Sequence, residues 1–341
     1  MVDGWYAMDY ESFNDRQLID VLSKFGKPEQ IKLLYVSTYI PNYVRNKSIL
    51  NILRRNGIKF EAVLAAKSKF RYLPVFINAF FKLRKSDVVF LAFRSHEILP
   101  FFRLLTQKPI IFDAFVSAYD TLCFDRKIFK PDSVPGKILK WYDAYLCRIA
   151  DFVLVDTRAH SEYFKGEFKA KNVSYLYLES DRDLFRPTER EKKKNKFIVF
   201  WYGKCWPLQG VEVILKAAEI LKDDLEIIFR LVGPVRKKYK NLAANLNSGN
   251  IEFIDYVPYQ SLPAEIAKAD LCLGGHFSGI PKAKRVIPGK AFQFIACGRK
   301  TILGDNPANR ELFNETENIY FVRMNSPEEL AAIILKIKEE W

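Results

Sequence analysis

What this chain lacks narrows its possibilities before any motif is read. In 341 residues no apolar run approaches the roughly 18 residues of a membrane-spanning helix: YLPVFINAFF is closed by Arg71 and Lys82, and VVFLAF stops at Arg94. A single-span membrane protein is therefore excluded. There are five cysteines, at 123, 147, 205, 272 and 297, with no CxxC pair. An odd, dispersed set reads as reduced, packed thiols of a cytosolic protein, not as a disulfide framework. Three histidines, His96, His160 and His276, are too scattered for a zinc motif. The opening MVDGWYAMDYESFND is acidic and lacks the basic-then-apolar order of a secretory signal, so a cytoplasmic location is expected.

Acidic residues are also in deficit, 40 against 54 Lys and Arg, for a formal charge of +14. That balance admits nucleic acid, an anionic membrane face or a phosphorylated substrate. The cations fall in short clusters (Lys67–Arg71, Lys82–Lys85, Arg190–Lys196, Arg236–Lys240, Lys282–Arg285), with no zinc finger, RGG tract or long basic tail. The 28 Phe and 17 Tyr lie mostly inside apolar runs, where core packing accounts for them. Nucleic acid is not an expected partner; anionic lipid and phosphorylated substrates are.

Along the chain, residues 1–30 are polar, with a short helix expected over Asp15–Phe25. The first buried strand is IKLLYVST, followed by the polar, basic loop YIPNYVRN, the helical SILNILRRNG ending at Gly57, and the strand KFEAVLAA. Strand, loop, helix and strand in short repeats point to a parallel sheet. The first loop has Ile40, Pro41 and Asn42 where a dinucleotide fingerprint needs glycines, which disfavours an NAD site. DVVFLAF, KPIIFDAF, DFVLVDT and VSYLYLE continue the strands, and SVPGKILKWYDAYLCRIA has helical periodicity. Residues 188–196, TEREKKKNK, are almost wholly charged and mark a domain boundary. Beyond them the alternation restarts at FIVFWYG and runs to SPEELAAIILKIKEE, where Ser326 and Pro327 open a terminal helix. The expected organisation is an N-terminal extension (1–30), a first Rossmann-like α/β/α domain (31–187), a linker (188–196) and a second such domain (197–341), with a ligand in the cleft between them.

The stretch with most chemical content runs from Gly274 to Asp305, GGHFSGIPKAKRVIPGKAFQFIACGRKTILGD. A short apolar strand leads into a glycine-containing loop with Lys282, Lys284, Arg285 and Lys290, then a helix patterned from Pro288 to Cys297 and closed by Gly298. A helix N-terminus at the carboxyl end of a parallel strand offers free N–H groups and a positive dipole end, and added cations make it a phosphate site.

At this point the C-terminal half resembles the donor-binding domain of the retaining GT-B glycosyltransferases, the glycosyl transferases group 1, or family 4. The resemblance is an ordered series: FWYGKCWPLQGVEVILKAAEIL, RLVGP, IEFIDYVPYQSLPAEIAKADLCLGG, KAFQFIACGRKTILGD and PANRELFNETENIYFV. KPIIFDAFVSAYDT, ADFVLVDTRAHSEYF and SDRDLFRP extend it more weakly into the first half, so that it covers about residues 31–341. It implies a GT-B fold, transfer of a sugar from a nucleotide-diphosphate donor with retention, a saccharide or lipid-linked glycan acceptor, and no tightly bound cofactor or metal.

On that resemblance Gly203, Gly233, Val257, Gly275 and His276 line the donor. The family's usual Arg and Lys in the first glycine loop correspond to Lys204 and Gln209; its two glutamates, eight positions apart, correspond to Arg285 and Gln293. Gln293 still hydrogen-bonds a hydroxyl, more weakly than a carboxylate would, whereas Arg285 accepts nothing. The phosphate charge is then met from the helix side, by Arg285 and Lys290. In the first half, Asp113 and Asp120 are the candidates to orient or deprotonate an acceptor hydroxyl, with His96 at a similar loop edge. Two other readings stay open: a non-catalytic sugar-nucleotide-binding or polysaccharide-assembly partner, and a nucleotide-sugar epimerase of similar shape.

A last expectation concerns membranes. In KSKFRYLPVFINAFFKLRK, Lys67–Lys85, cations bracket an apolar, aromatic stretch whose helix is expected from Val75 or Phe76 onward, after Pro74. Such a segment meets an anionic membrane surface peripherally, on the inner face of the cell membrane. If the apolar face covers the sheet, only the cations stay outside, and the association is charge-driven and salt-sensitive.

Overall fold

A computed structural model describes residues 8–41, 43–65, 72–187, 195–245 and 249–341. The described chain falls into two compact units, one from Asp9 to Glu179 and one from Ser180 to Trp341. Residues 188–194 of the charged boundary segment and the cluster Lys67–Arg71 lie outside the described residues.

The first unit runs α1 (Tyr10–Ser23), β1 (Lys32–Ser37), α2 (Val44–Arg55), β2 (Lys59–Leu64), α3 (Tyr72–Leu83), β3 (Val88–Leu91), α4 (Leu99–Leu105), β4 (Ile110–Asp113), α5 (Val134–Ile149), β5 (Phe152–Val155), α6 (Arg158–Phe168) and β6 (Val173–Tyr175). Its six strands are all parallel, in the order β2-β1-β3-β4-β5-β6. The strands read as unbroken apolar runs because both faces are covered. Leu34 and Val36 of β1 point into a core shared with α3, α4, α5 and α6, while Leu33 and Tyr35 point into one shared with α1 and α2.

Helix α1 starts one turn earlier than its sequence pattern suggested, because Asp9 accepts a hydrogen bond from the Ser12 N–H and caps it. Leu18, Val21 and Leu22 are buried in the second of these cores. Asn14 holds Tyr177 by both backbone groups, accepting from its N–H at 2.8 Å and donating to its carbonyl at 3.1 Å. Helix α3 likewise begins at Tyr72 and takes Pro74 into its first turn, where a missing N–H costs nothing. The expectation that its apolar face would be used up on the sheet is not met. The helix is apolar all round: Val75, Ala79 and Leu83 are buried, and Leu73, Ile77, Phe80 and Phe81 are exposed.

The second unit runs β7 (Phe197–Tyr202), α7 (Val211–Ile220), β8 (Ile227–Val232), α8 (Val235–Lys238), α9 (Lys240–Asn245), β9 (Ile251–Ile254), α10 (Leu262–Ala267), β10 (Leu271–Gly275), α11 (Gly289–Ala296), β11 (Thr301–Asp305), α12 (Pro307–Arg310), β12 (Ile319–Arg323) and α13 (Pro327–Glu339). The order is β12-β11-β10-β7-β8-β9, again parallel throughout. Val199 and Trp201 face α7 and α13; Phe200 faces α10 and α11 and meets Phe185, so residues just after Glu179 pack with this unit. Ser326 precedes α13 without a side-chain cap; the Glu329 carboxylate instead accepts from the Arg323 N–H at 3.0 Å. All five cysteines are buried and free, and among the described residues no helix is long and apolar enough to cross a membrane.

Candidate functional site

In the second sheet the chain winds outward from β7 to β9, then returns to the other side of β7 as β10. Open parallel sheets bind ligands in the crevice at such a reversal, which here falls at the carboxyl ends of β7 and β10. Strand β7 is followed by Gly203, whose N–H donates to the Val232 carbonyl at 3.0 Å, and the neighbouring β8 is followed by Gly233. A Cβ on Gly233 would lie 2.1 Å from the Gly203 carbonyl oxygen, so the two strand ends meet closely because position 233 carries no side chain.

The loop after β7 folds against the loop after β10. Pro207–Gln209 make a tight turn, and Gly210, at φ +69°, opens α7. A Cβ there would stand 2.5 Å from the Ser278 nitrogen. The Gln209 carbonyl accepts from the Phe277 N–H, and Ser278 Oγ donates to the Leu208 carbonyl at 2.8 Å. Gln209 itself turns its amide inward: Oε1 accepts from the Trp206 N–H at 3.3 Å and lies against Gly203.

Helix α11 delivers two buried polar side chains into this crevice. Lys290, only 5% exposed, donates from Nζ to the Tyr202 carbonyl at 3.0 Å and sits 4.2 Å from the centre of the Trp201 ring. It has no carboxylate partner among the described residues. Gln293, one turn on, accepts from the Tyr202 hydroxyl through Oε1 and donates from Nε2 to the Tyr259 hydroxyl at 3.2 Å. Burial holds the Tyr202 phenol well above its ordinary range, and burial with Asp181 nearby pushes Tyr259 up to about 12, so both keep their protons. Just past β10, His276 is buried and its Nδ1 has no hydrogen-bond partner among the described residues.

These groups share an electrostatic signature. Burial drives the Lys290 amine well below its ordinary value, with the neighbouring Cys205 a small opposing influence. Burial, then the charges of Lys290 and Lys282, drive the His276 imidazole well below its own. Removing a cation from water without an acid beside it is unfavourable, and it becomes favourable when an anion arrives. An anionic ligand would satisfy such an amine, and the neutral His276 has Nδ1 available to bond one of its polar groups.

The remaining expected donor residues are placed as follows. Gly275, at φ +71°, and His276 form the β10 end of the crevice. Val257 is half-buried among Phe185, Leu262 and Ile266. Arg285 is half-buried at the end of the Pro281–Lys284 turn. Lys204 is exposed, and its carbonyl accepts from Lys238 Nζ at 3.1 Å. Sequence reasoning counted Lys282 among the cations of this loop without singling it out, and it did not assign Tyr202 or Tyr259 to the site. Lys282 was visible as a cation in PKAKR, but nothing in that run separates a buried lysine from its exposed neighbour Lys284.

In the first unit, Asp113 ends β4 and is completely buried, with Arg45 donating to both carboxylate oxygens, at 2.8 Å from Nη2 and 3.1 Å from Nε. Arg45 also reaches the carbonyls of Leu176 and Val155. Burial alone would push the guanidinium down, but Asp113 outweighs it and holds Arg45 above its ordinary value. Asp120 is buried at the start of the wide-turned helical stretch Asp120–Asp125, its N–H donating to Ser117 Oγ. His96 is buried edge-on to Phe112, with Nε2 2.9 Å from the Val116 carbonyl. Among the described residues no group of three or more His, Cys, Asp or Glu side chains is placed to hold a metal ion.

Comparison with known proteins bears on this arrangement. Residues 181–341 match the family model described as glycosyl transferases group 1. An uncharacterized glycosyltransferase of Methanocaldococcus jannaschii is 24% identical over 218 residues, 60% of this chain and 54% of that protein, so the chain spans about half the length of this curated relative. Among solved structures, HepE of Anabaena in complex with UDP is similar with a TM-score of 0.62 at 14% identity, over 91% of this chain and 90% of that one. Sucrose-phosphate synthase from Thermosynechococcus elongatus gives 0.64 at 15% identity, over 95% and 83%. The two parallel six-stranded α/β units thus have the GT-B type of fold expected from the sequence.

Proposed function

We propose that this chain is a glycosyltransferase that takes a sugar, a hexose or hexose-like unit, from a nucleotide-diphosphate donor and attaches it to a hydroxyl of a saccharide or lipid-linked glycan. The observation that carries the reading is Lys290: a buried amine at the start of α11 with no acidic partner among the described residues, whose charge is felt by the buried His276 imidazole. UDP in the HepE complexes, one of which holds UDP-glucose, favours a uridine donor.

In this reading the chemical task is to stabilise negative charge growing on the leaving diphosphate. Fixed donors in a dry site do this better than water, because they need not reorganise as the bond breaks. Lys290 and the α11 N–H groups meet the diphosphate, with Arg285, Lys204 and Lys282 adding positive potential. Gly203, Gly233 and Gly275 let the backbone come close, and Gln209 and Val257 complete the lining. Gln293, oriented by two tyrosines, presents an amide to a ribose hydroxyl, and His276 a neutral nitrogen to the sugar. Asp113, Asp120 and His96 are the proposed acceptor-side residues. With its carboxylate held by Arg45, Asp113 acts there as a positioning residue for the loop after β4. Retention of anomeric configuration, membership of family 4 and a chemistry without metal follow from the resemblance, and an anionic membrane on the cytoplasmic side is the proposed setting.

The test is calorimetric titration of UDP into wild-type, Lys290→Met and Arg285→Ala proteins, followed by assay of transfer from several UDP-sugars. Unchanged UDP affinity in both variants sinks the placement of the phosphates. A second reading, a sugar-nucleotide-binding partner without catalysis, is favoured by the neutral, inward-turned Gln209; tight UDP binding with neither transfer nor donor hydrolysis would establish it.

A further inference from the structure

On one face of the first sheet, α3, α4 and α5 lie side by side over a common core. Phe76 of α3 meets Phe101 and Phe102 of α4 edge-on at 6.3 and 5.9 Å. The outer surface of this layer is apolar where a solvated surface would be polar. Phe81 is 71% exposed, Leu104 84% and Trp141 62%, one from each helix, and Leu73, Phe101 and Ile138 stand out beside them. Large apolar side chains exposed on three neighbouring helices are the pattern of an interaction surface, whereas singly scattered ones are not.

Beside α3, at the amino ends of β1 and β2, lies a cavity of about 390 Å³ lined by Lys32, Lys59, Lys82 and Lys85, with Glu61 as its acid. Glu61 is taken by Lys82 at 3.2 Å. The amines of Lys32, Lys59 and Lys85 have no ion-pair partner among the described residues. Lys108 adds a further cation near this edge, its amine capping the carbonyls of Leu83, Arg84 and Ser86 at the end of α3. The α5 side adds exposed Arg126, Lys127, Lys130 and Lys137 against exposed Asp132.

From this juxtaposition we infer that the outer face of α3, α4 and α5 docks on an anionic lipid bilayer. Phosphate-bearing headgroups enter the lysine cavity beside α3, while Phe81, Leu104 and Trp141 enter the headgroup–acyl boundary. Charge complementarity selects this occupant. A protein partner or second copy would cover the apolar face but give three uncompensated lysines no reason to gather at its border, whereas anionic headgroups supply a plane of negative charge next to an apolar layer. The inference specifies where the membrane setting proposed above is met and rests on that part of the reading alone. It also alters the expected salt response: exposed aromatic and leucine side chains make part of the binding resistant to salt.

The test is co-sedimentation of the full chain with phosphatidylcholine vesicles, with and without phosphatidylglycerol, at low salt and at about 0.5 M salt, where the Debye length falls to a few ångströms. Wild type is expected to bind the anionic vesicles at low salt and to keep a measurable fraction bound at high salt. Lys59→Gln with Lys85→Gln should weaken binding to anionic vesicles about thirtyfold, at about fivefold per lysine, and erase the preference for them. Phe81→Ser with Leu104→Ser should abolish the salt-resistant fraction. Free glycerol phosphate at the concentration of the lipid headgroups should not compete; competition would mean that the cavity takes a soluble anion and would overturn the bilayer assignment. Retained UDP affinity in the variants shows that they are folded and separates failure here from failure of the sugar-transfer reading. No binding to anionic vesicles at low salt, or variants that bind as wild type, defeats the inference. So does a dimer in sedimentation velocity that Phe81→Ser with Leu104→Ser dissolves.

Discussion

Replacing Lys290 by methionine should move two properties of this protein in opposite directions. Methionine keeps the unbranched stem and its packing against Trp201 while removing the amine. Loss of the amine should weaken binding of UDP. A hydrogen bond to a charged group is worth about 1.5–3 kcal/mol, and an unscreened opposite charge 4 Å away adds up to about 4 kcal/mol at an effective dielectric of 20. Burial lowers the amine's pKa in the free protein, so the cost of protonating it in place is met on binding and offsets part of this gain. A net loss of about 3 kcal/mol is therefore expected, roughly 150-fold in Kd. The same change should stabilise the empty protein by about 1–3 kcal/mol, because an uncompensated buried amine is replaced by an apolar group. For a unit of this size that is a rise of about 2–4 °C in Tm per kcal/mol.

The pH dependence supplies a sharper check. Burial lowers the Lys290 pKa in the folded, empty protein, while the unfolded chain titrates near the ordinary lysine value of about 10.4. Between those two values the unfolded state holds more protons, so the stability of the empty protein rises with pH there. A bound diphosphate raises the same pKa, the complex holds the extra proton, and UDP affinity falls with pH across the window. The two slopes have opposite signs in wild type, and Lys290→Met should flatten both. Measurements above about pH 7 keep the His276 imidazole, whose pKa burial also lowers, neutral throughout. Calorimetry in buffers of differing ionisation enthalpy should show proton uptake on UDP binding. An affinity within about threefold of wild type in a folded Lys290→Met protein, or affinity that rises with pH, would refute the reasoning.

Three further outcomes follow. Arg45→Met should destabilise the first unit by about 3–5 kcal/mol in urea unfolding, because it leaves Asp113 buried without its partner. Gly210→Ala should cost about 1–3 kcal/mol in thermal unfolding and weaken UDP binding, since an L-residue at φ +69° is strained and its Cβ meets the Ser278 nitrogen at 2.5 Å. Asn14→Ala should speed hydrogen exchange through α1, with a stability loss of about 2–3 kcal/mol, because both backbone groups of Tyr177 lose their partner.

The fold was largely legible because its strands are buried on both faces. Runs such as IKLLYVS and FIVFWY could not be amphipathic helices, and their regular separation by helical patterns left a parallel sheet. Errors gathered at helix starts, where a cap or a proline decides the boundary locally: Asp9 for α1 and Pro74 for α3 each admit one more turn than the apolar period alone suggests. The candidate site was legible as a place but not as a network. The glycines, the α11 N-terminus and Lys290 could be read from spacing and resemblance. The grip of Tyr202 and Tyr259 on Gln293 joins residues 34 and 91 positions apart, and no local pattern encodes it. The exposed face of α3 was misjudged for a related reason. A helix apolar on every side signals burial on every side, and whether another element supplies the second cover is a tertiary fact.

Arg45 and Lys290 show why composition could not separate structure from function here. Both are basic side chains removed from water within a parallel α/β unit. Arg45 meets a carboxylate and two carbonyls, so its planar fork is satisfied inside the fold and its removal exposes an uncompensated acid. Lys290 meets one carbonyl and an aromatic face, and its point charge is satisfied only when something negative comes from outside. The first arrangement lowers the free energy of the folded chain as it stands. The second raises it, by an amount that a bound diphosphate returns. Lys290→Met and Arg45→Met are equally drastic losses of a buried cation in the sequence, and they should shift the stability of the empty protein with opposite sign. That difference measures directly which buried charge belongs to the fold and which to the ligand.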